Sequence, residues 1–279
     1  MVNAKKKDVK LELLVSTMCQ TSLDFLSKMF PESSPKHYNI LIINQTDQSH
    51  LLESTVDNIR VINSFEKGLA KSRNMAINNT IGQLCLIVDD DVKFKPDFDK
   101  IILEAHNRNT NAAIITFKME DFEGNLFKEY PLVKHHDLHS IKEVNSVVIS
   151  FNSKLLKQSG LLFNVNFGLG STFETADEYI FMRDALKLKM QTIFEPKVIL
   201  SHPFLSSGKD SGNDKLVYAR SALYYKYSGV LGYLKLCKYL YIVHKQGAIK
   251  TNQIIKKFKV GLKGISTYKN LVKLGIEKT

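Results

Sequence analysis

Three carboxylates stand side by side in the chain, Asp89, Asp90 and Asp91, directly after the apolar run LCLIV at 84–88. A short apolar run of this kind reads as a buried strand, so the acids fall where a strand leaves a sheet. Like charges gathered there are costly without a cation, and in open α/β sheets ligands bind outside the carboxyl ends of the strands. The chemistry this pattern favours is a hard divalent metal that itself bridges phosphate oxygens. A solvated turn, with Asp bonding to nearby backbone, is the plainer alternative. One helix and one strand upstream lie Lys67, Lys71 and Arg73. On a helix Lys67 and Lys71 share a face, while Arg73 turns elsewhere with a planar fork suited to the acids or to a diphosphate. An amphipathic helix with exposed bases explains the same residues.

The elements that must position these groups follow from periodicity. Residues 9–202 alternate β-branched runs with amphipathic stretches, the pattern of βαβ units around a mostly parallel sheet. Strands are expected at 11–16, 38–44, 59–62, 84–88, 112–117 and 144–151, with a late one at 197–202. Helices are expected at 22–29, 68–78, 96–106 and 175–188, with Pro96 as a first-turn proline. Between 117 and 143 the pattern breaks at Asp121, Gly124 and Asn125, which suggests a hairpin or loop insertion. The polar stretch SSGKDSGND at 206–214 reads as a mobile linker, dividing an α/β domain at 1–214 from a helical region at 215–279.

With 279 residues, 44% apolar and 24% charged, the chain has enough material for a full core, which excludes a disulfide-stapled, collagenous or disordered protein. The net charge of +11 is uneven: residues 215–279 hold 14 Lys and Arg against the single acid Glu277, leaving −2 for residues 1–214. Cys19, Cys85 and Cys237 are odd in number and lack metal-ligand spacing, as expected of thiols in a reducing compartment. No apolar stretch escapes interruption by charge long enough to span a bilayer. Lys5, Lys6 and Lys7 precede an apolar run, but Asp8 and Glu12 cut it too short for a signal peptide, so the cytoplasm is the expected location.

The stretch KGLAKSRNMAINNTIGQLCLIVDDD resembles the signature of family 2 glycosyltransferases with the GT-A fold, in which a GLxxARNxG-like helix precedes a strand and a DxD motif. The matching residues are Gly68, Leu69, Ser72, Arg73 and Asn74, then Asp89 and Asp91. The resemblance implies that Asp89, with Asp90 beside it, contacts the nucleotide or donor sugar. It implies that Asp91, with Asp89 as a second ligand, holds Mn²⁺ or Mg²⁺ on the diphosphate of a nucleotide-sugar, with Arg73 and Lys67 supporting the site. LLVSTMCQ and ILIINQTDQ are similar to the family's first two strands, whose ends hold nucleobase and ribose. That places Ser16 and Thr17 at the first exit and Asn44 and Gln45 at the second, where the family often has an acid; a simple strand-to-turn transition explains Asn44 and Gln45 equally well.

FGLGSTFETADEYIFMRDAL is similar to the family's glycine-containing loop followed by an acidic pair at a helix start, here Asp177 and Glu178. An inverting transfer needs one carboxylate to take the acceptor's proton. Glu178 aligns with the usual catalytic acid and Asp177 competes with it. Thr175 and Glu178 also read as a capping box, with Asp177 suiting the helix dipole. Gly168 and Gly170 present backbone to the donor sugar or serve a turn. His202, ending KVILSH, matches a position where some GT-A enzymes place a third metal ligand; it is otherwise an ordinary strand-end residue. His135, His136 and His139 lack helical periodicity and are not read as a zinc site.

Beyond 214, tyrosines and lysines interleave with apolar residues at helical spacing. Such helices suit an anionic membrane surface at the inner face of the cell membrane, or pack on the catalytic domain or on a second copy in a homo-oligomer. Nucleic acid is the competing partner, but no recognition motif accompanies the charge. The expected activity is metal-dependent inverting transfer from a nucleotide-sugar, with a UDP-sugar as donor, to a saccharide or lipid-linked saccharide in surface glycan synthesis. The rival readings are a metal-dependent nucleotidyl or phosphoryl transferase and a non-catalytic membrane or nucleic-acid adaptor.

Overall fold

The computed structural model describes residues 9–203 and 211–277. Strands β1 (Leu11–Met18), β2 (Asn39–Gln45) and β4 (Leu84–Asp89) are apolar almost throughout because both of their faces are covered. Leu13, Val15, Ile40, Ile42, Leu86 and Val88 enter one core, while Leu14, Leu41, Ile43, Cys85 and Ile87 enter the other. With β3 (Ile59–Ser64), β5 (Lys93–Phe94), β6 (Ile114–Glu120), β7 (Ile149–Asn152) and β8 (Thr192–Ser201) they form an eight-stranded sheet of order β3-β2-β1-β4-β7-β6-β8-β5. The first four strands of that order pair in parallel, β7 is antiparallel to both β4 and β6, and β5 is antiparallel to β8.

Helices α1 (Asp24–Met29), α2 (Leu69–Asn79), α3 (Phe98–Arg108), α4 (Ser153–Ser159) and α5 (Asp177–Lys187) complete the layers. Phe98, Ile102 and Ala105 of α3 fill the first core, and Ala70, Ala76 and Ile77 of α2 fill the second. The 117–143 segment contains the expected hairpin: Asp121 accepts from the amides of Glu123 and Asn125, and Gly124 turns with φ of 88°.

Several element expectations need correction. Lys67 lies before the start of α2, so it shares no helical face with Lys71, which instead pairs with Glu66 at 2.8 Å. Pro96 precedes α3 by two residues because Asp97 adopts a left-handed conformation. The strand expected at 144–151 is a 3₁₀ turn at Ser146–Val148 followed by the short β7; Val147 and Val148 are buried in either geometry, so apolar character alone did not separate them. β8 begins five residues earlier than the expected 197, and β5 had too few residues to show a period.

The described residues fall into two compact units, one within Met1–Phe163 and Glu178–Phe204 and the other within Asn164–Asp177 and Leu205–Thr279. Thus 164–177 group with the C-terminal helices α6 (Asp214–Ser228), α7 (Leu231–Lys245) and α8 (Ile254–Lys273). The cause is aromatic: Phe167 and Phe173 are fully buried, and Phe173 meets Tyr218 and Tyr268 with ring centroids 5.4 and 6.3 Å apart. Val217, Leu236, Tyr239, Leu240, Val243 and Ile265 form this unit's own core. α6 and α8 approach closely at Gly264, where an added Cβ would stand 2.1 Å from the carbonyl oxygen of Tyr218. Of the expected mobile linker, 206–210 lie outside the described residues, as do Lys5 to Lys7; its end is ordered, with Asn213 accepting from the Lys215 amide to cap α6.

Candidate active site

β1 and β4 run in register with Ser16 opposite Asp89, so the first strand exit and the three carboxylates emerge together. Thr17 donates its hydroxyl proton to Asp90, and the Gln20 side-chain amide reaches the same oxygen at 3.4 Å. Ser72 of α2 donates to Ser16 at 2.9 Å, tying the helix to the strand. Gln45 accepts from the Gly68 amide at 2.7 Å, fixing the residue that starts α2 with φ of 123°.

Asn44 is buried, and its amide group is engaged within the fold. Its nitrogen donates to the Gln20 carbonyl and to Asn63 at 2.9 and 3.0 Å, and its oxygen accepts from the Gln20 amide at 3.1 Å.

Arg73 is 2% exposed and donates to both oxygens of Asp89 at 3.0 and 3.1 Å and to Ser146 at 2.8 Å. Its guanidinium lies 5.5 Å from the ring centre of Phe163. Asn74, its neighbour on α2, exchanges two hydrogen bonds with the backbone of Phe163 at 2.8 and 2.7 Å. The Arg-Asn pair therefore locks the helix to a loop and neutralises one acid of the cluster. Lys67 is exposed.

Asp91 is half-exposed and faces His202, whose Nε2 stands 3.5 Å from its Oδ1. The Asp91 carboxyl is held above the usual carboxylate range, chiefly by desolvation; His202 opposes this, and Asp89 and Asp90 add to it. His202 Nδ1 is 2.9 Å from the Pro203 carbonyl oxygen, which only accepts, so Nδ1 carries a proton and Nε2 is the nitrogen turned to Asp91. The Phe127 ring packs edge-on to this imidazole at 5.8 Å. Among the described residues, no three His, Cys, Asp or Glu side chains form a preformed metal cluster.

The acidic pair opens α5 but divides between the two units, Asp177 closing the 164–177 segment and Glu178 beginning the return to the α/β unit. Asp177 is buried beside Gly168, where φ is 102° and a Cβ would lie 3.0 Å from the Asp177 carboxyl carbon. Ala176, with φ of 66°, lies between Thr175 and the start of α5. Gly168 and Gly170 both have positive φ, and the Gly168 amide closes the loop on the Phe173 carbonyl at 2.9 Å.

The sequence reading did not single out Lys128. Its ammonium pKa is lowered by burial, against the opposing pull of Glu143, 3.7 Å away, and of Glu178. Glu120 was also missed; it pairs with Lys95, and its carbonyl accepts from the His202 amide at 2.9 Å. Both lie around the irregular hairpin, where no periodicity marks a position. His136 is internal, bonded to Thr116 at 2.7 Å and Ser140 at 3.1 Å.

A parallel sheet flanked by helices, with carboxylates at the exit of β4 and an antiparallel strand inserted beyond it, defines a GT-A architecture. The chain belongs to glycosyl transferase family 2, whose sequence pattern matches residues 23–176, more than half of its length. Among curated proteins no sequence matches. Crystal structures of S. aureus TarS 1–349 are similar in fold. One aligns with a TM-score of 0.52 at 13% identity, over 96% of this chain and 92% of that one. The complex with UDP aligns with a TM-score of 0.52 at 12% identity, over 96% and 92% of the two chains. The complex with UDP-GlcNAc gives 0.50 at 13%, over 97% and 93%. The enzyme is thus a glycosyltransferase.

Proposed function

We propose that this glycosyltransferase moves a sugar from a UDP-sugar to a saccharide or lipid-linked saccharide of a surface glycan, with inversion and with Mn²⁺ or Mg²⁺. The observation that carries the reading is the strand-end cluster in which Arg73 neutralises Asp89 while Asp91 and His202 Nε2 face each other. The Asp91 carboxylate fits a hard divalent ion, because Mg²⁺ sites typically use one or two carboxylates and take their remaining ligands from water and substrate phosphates, and the imidazole nitrogen beside it favours Mn²⁺ of the two. The Nδ1 contact to Pro203 supports the ligand role by fixing the tautomer. The complexes of S. aureus TarS with UDP and UDP-GlcNAc support the choice of donor class.

In this reading Asp89 and Asp90 orient the donor, Asp90 being held by Thr17 and Gln20. Ser16, Asn44 and Gln45 act indirectly, by fixing α2 and the turn after β1 through the bonds described. Asp91 and His202 would hold the metal ion, which would supply positive charge to the departing diphosphate. The acceptor oxygen forms its bond to the anomeric carbon as the carbon–diphosphate oxygen bond breaks, and Glu178 takes the hydroxyl proton, with Asp177 as the competing base.

The test is release of UDP from a panel of UDP-sugars, with and without Mn²⁺. We expect cation-dependent turnover with one donor, a loss of about 10³-fold in kcat for Asp91→Asn and at least about 10²-fold for Glu178→Gln. Loss in Asp177→Asn with Glu178→Gln intact would exchange the base. Turnover indifferent to chelator overturns the metal, and cleavage at the α-phosphate overturns the reaction.

A further inference from the structure

α7 is two-sided in a way that the fold of its own unit does not use up. Gly232, Leu236, Tyr239, Leu240 and Val243 are buried and fill the core of the helical unit. The opposite face, at the three- and four-residue spacing of a helix, presents Leu231, Leu234, Tyr241 and Ile242, which are 61%, 67%, 65% and 40% exposed. Val230, just before the helix, is 75% exposed. Lys235, Lys238 and Lys245 lie on the same face, and α7 contains no acidic residue.

We propose that this face of α7 is a docking surface for an anionic lipid bilayer. Leucine and isoleucine enter the acyl boundary, the tyrosine takes the headgroup level, and the lysine stems lie along the apolar surface with their ammonium groups at lipid phosphates. No helix of the described residues is long and apolar enough to cross a membrane, so α7 lies on the surface.

Two other occupants fit less well. A second copy placed face to face by a two-fold axis brings lysines against lysines. Single-stranded nucleic acid would use the charge but stack only on Tyr241, leaving four large aliphatic side chains without a role. A lipid surface uses every exposed group on the face. This inference rests on the helical unit alone and stands or falls independently of the proposed reaction.

The experiment is flotation of the full chain with vesicles of phosphatidylglycerol and phosphatidylcholine, and with phosphatidylcholine alone, at low and high salt. Two variants accompany it: Lys235→Gln/Lys238→Gln/Lys245→Gln, and Leu234→Ser/Ile242→Ser, each checked for an unchanged circular dichroism melt. We expect salt-sensitive binding to anionic vesicles only, weakened about 100-fold by the lysine variant and by a similar amount by the apolar one. Equal binding by wild type and both folded variants overturns the proposal. So does tighter binding to a single-stranded oligonucleotide than to vesicles, or a dimer that Leu234→Ser/Ile242→Ser converts to monomer.

Discussion

The α/β unit and the helical unit of this chain use charge in opposite ways. In the first, acids and bases act one at a time at fixed places: Arg73 on Asp89, Thr17 on Asp90, His202 facing Asp91. In the second, basic residues outnumber the acids and most stand exposed along α7 and α8, so their effect is collective. Exceptions are the ion pair of Lys226 with Glu277 at 2.7 Å, buried and shared with Asn166, and those of Lys257 with Asp214 at 2.6 Å and Lys215 with Glu174 at 2.9 Å. A position-coded site fails when a single residue changes, whereas a composition-coded surface weakens in proportion to what is removed.

The sharpest way to break this comparison is Arg73→Leu. Removing the guanidinium leaves Asp89 beside two further acids without its buried counter-charge, and the α/β unit should lose about 3–5 kcal/mol. Urea unfolding measures the loss, and hydrogen exchange should leave α7 and α8 unchanged. An effect below about 1 kcal/mol, the worth of a surface pair, would put the Arg73 pair in the same class as the exposed lysines.

A second effect, of comparable size, separates the units by pH. Burial pushes the imidazoles of His106 and His136, both in the α/β unit, down to about 4. Below their ordinary range the unfolded chain binds protons that the folded chain does not, so stability is full above about pH 6.5 and falls as the pH drops toward 4. Each contributes on the order of 3 kcal/mol across that window. The helical unit's histidine among the described residues, His244, is only half-buried. Urea midpoints from pH 7 to 4.5 should fall for the wild type and flatten for His106→Gln/His136→Gln.

The smallest effect tests packing in the helical unit. A glycine-to-alanine change inside a helix ordinarily gains about 1 kcal/mol. At Gly264 the new methyl would meet the Tyr218 carbonyl, so Gly264→Ala should instead cost about 1–3 kcal/mol. A gain in melting temperature would show that α6 and α8 separate freely.

Much of the α/β unit was legible in the chain because its strands are apolar on both faces and its acids follow one of them directly. The parallel β1, β2 and β4, the helix at α2 and the hairpin at Asp121 needed only local spacing. The two-residue β5, the 3₁₀ turn at Ser146 and the contacts of Lys128 and Glu120 were not legible. Each depends on a partner far along the chain, as β5 depends on β8. The single boundary expected near 214 missed that 164–177 group with the C-terminal helices, because Phe173 finds its aromatic partners at 218 and 268.

The order of strands and helices, the cluster of acids at the end of β4 and the basic excess after residue 214 are properties of the sequence itself, since periodicity and charge need no neighbours. Which acid Arg73 neutralises, that His202 faces Asp91 and which side of α7 stays uncovered were decided by the tertiary structure. Each is a contact between residues remote in the chain, and no local spacing encodes which distant group closes it.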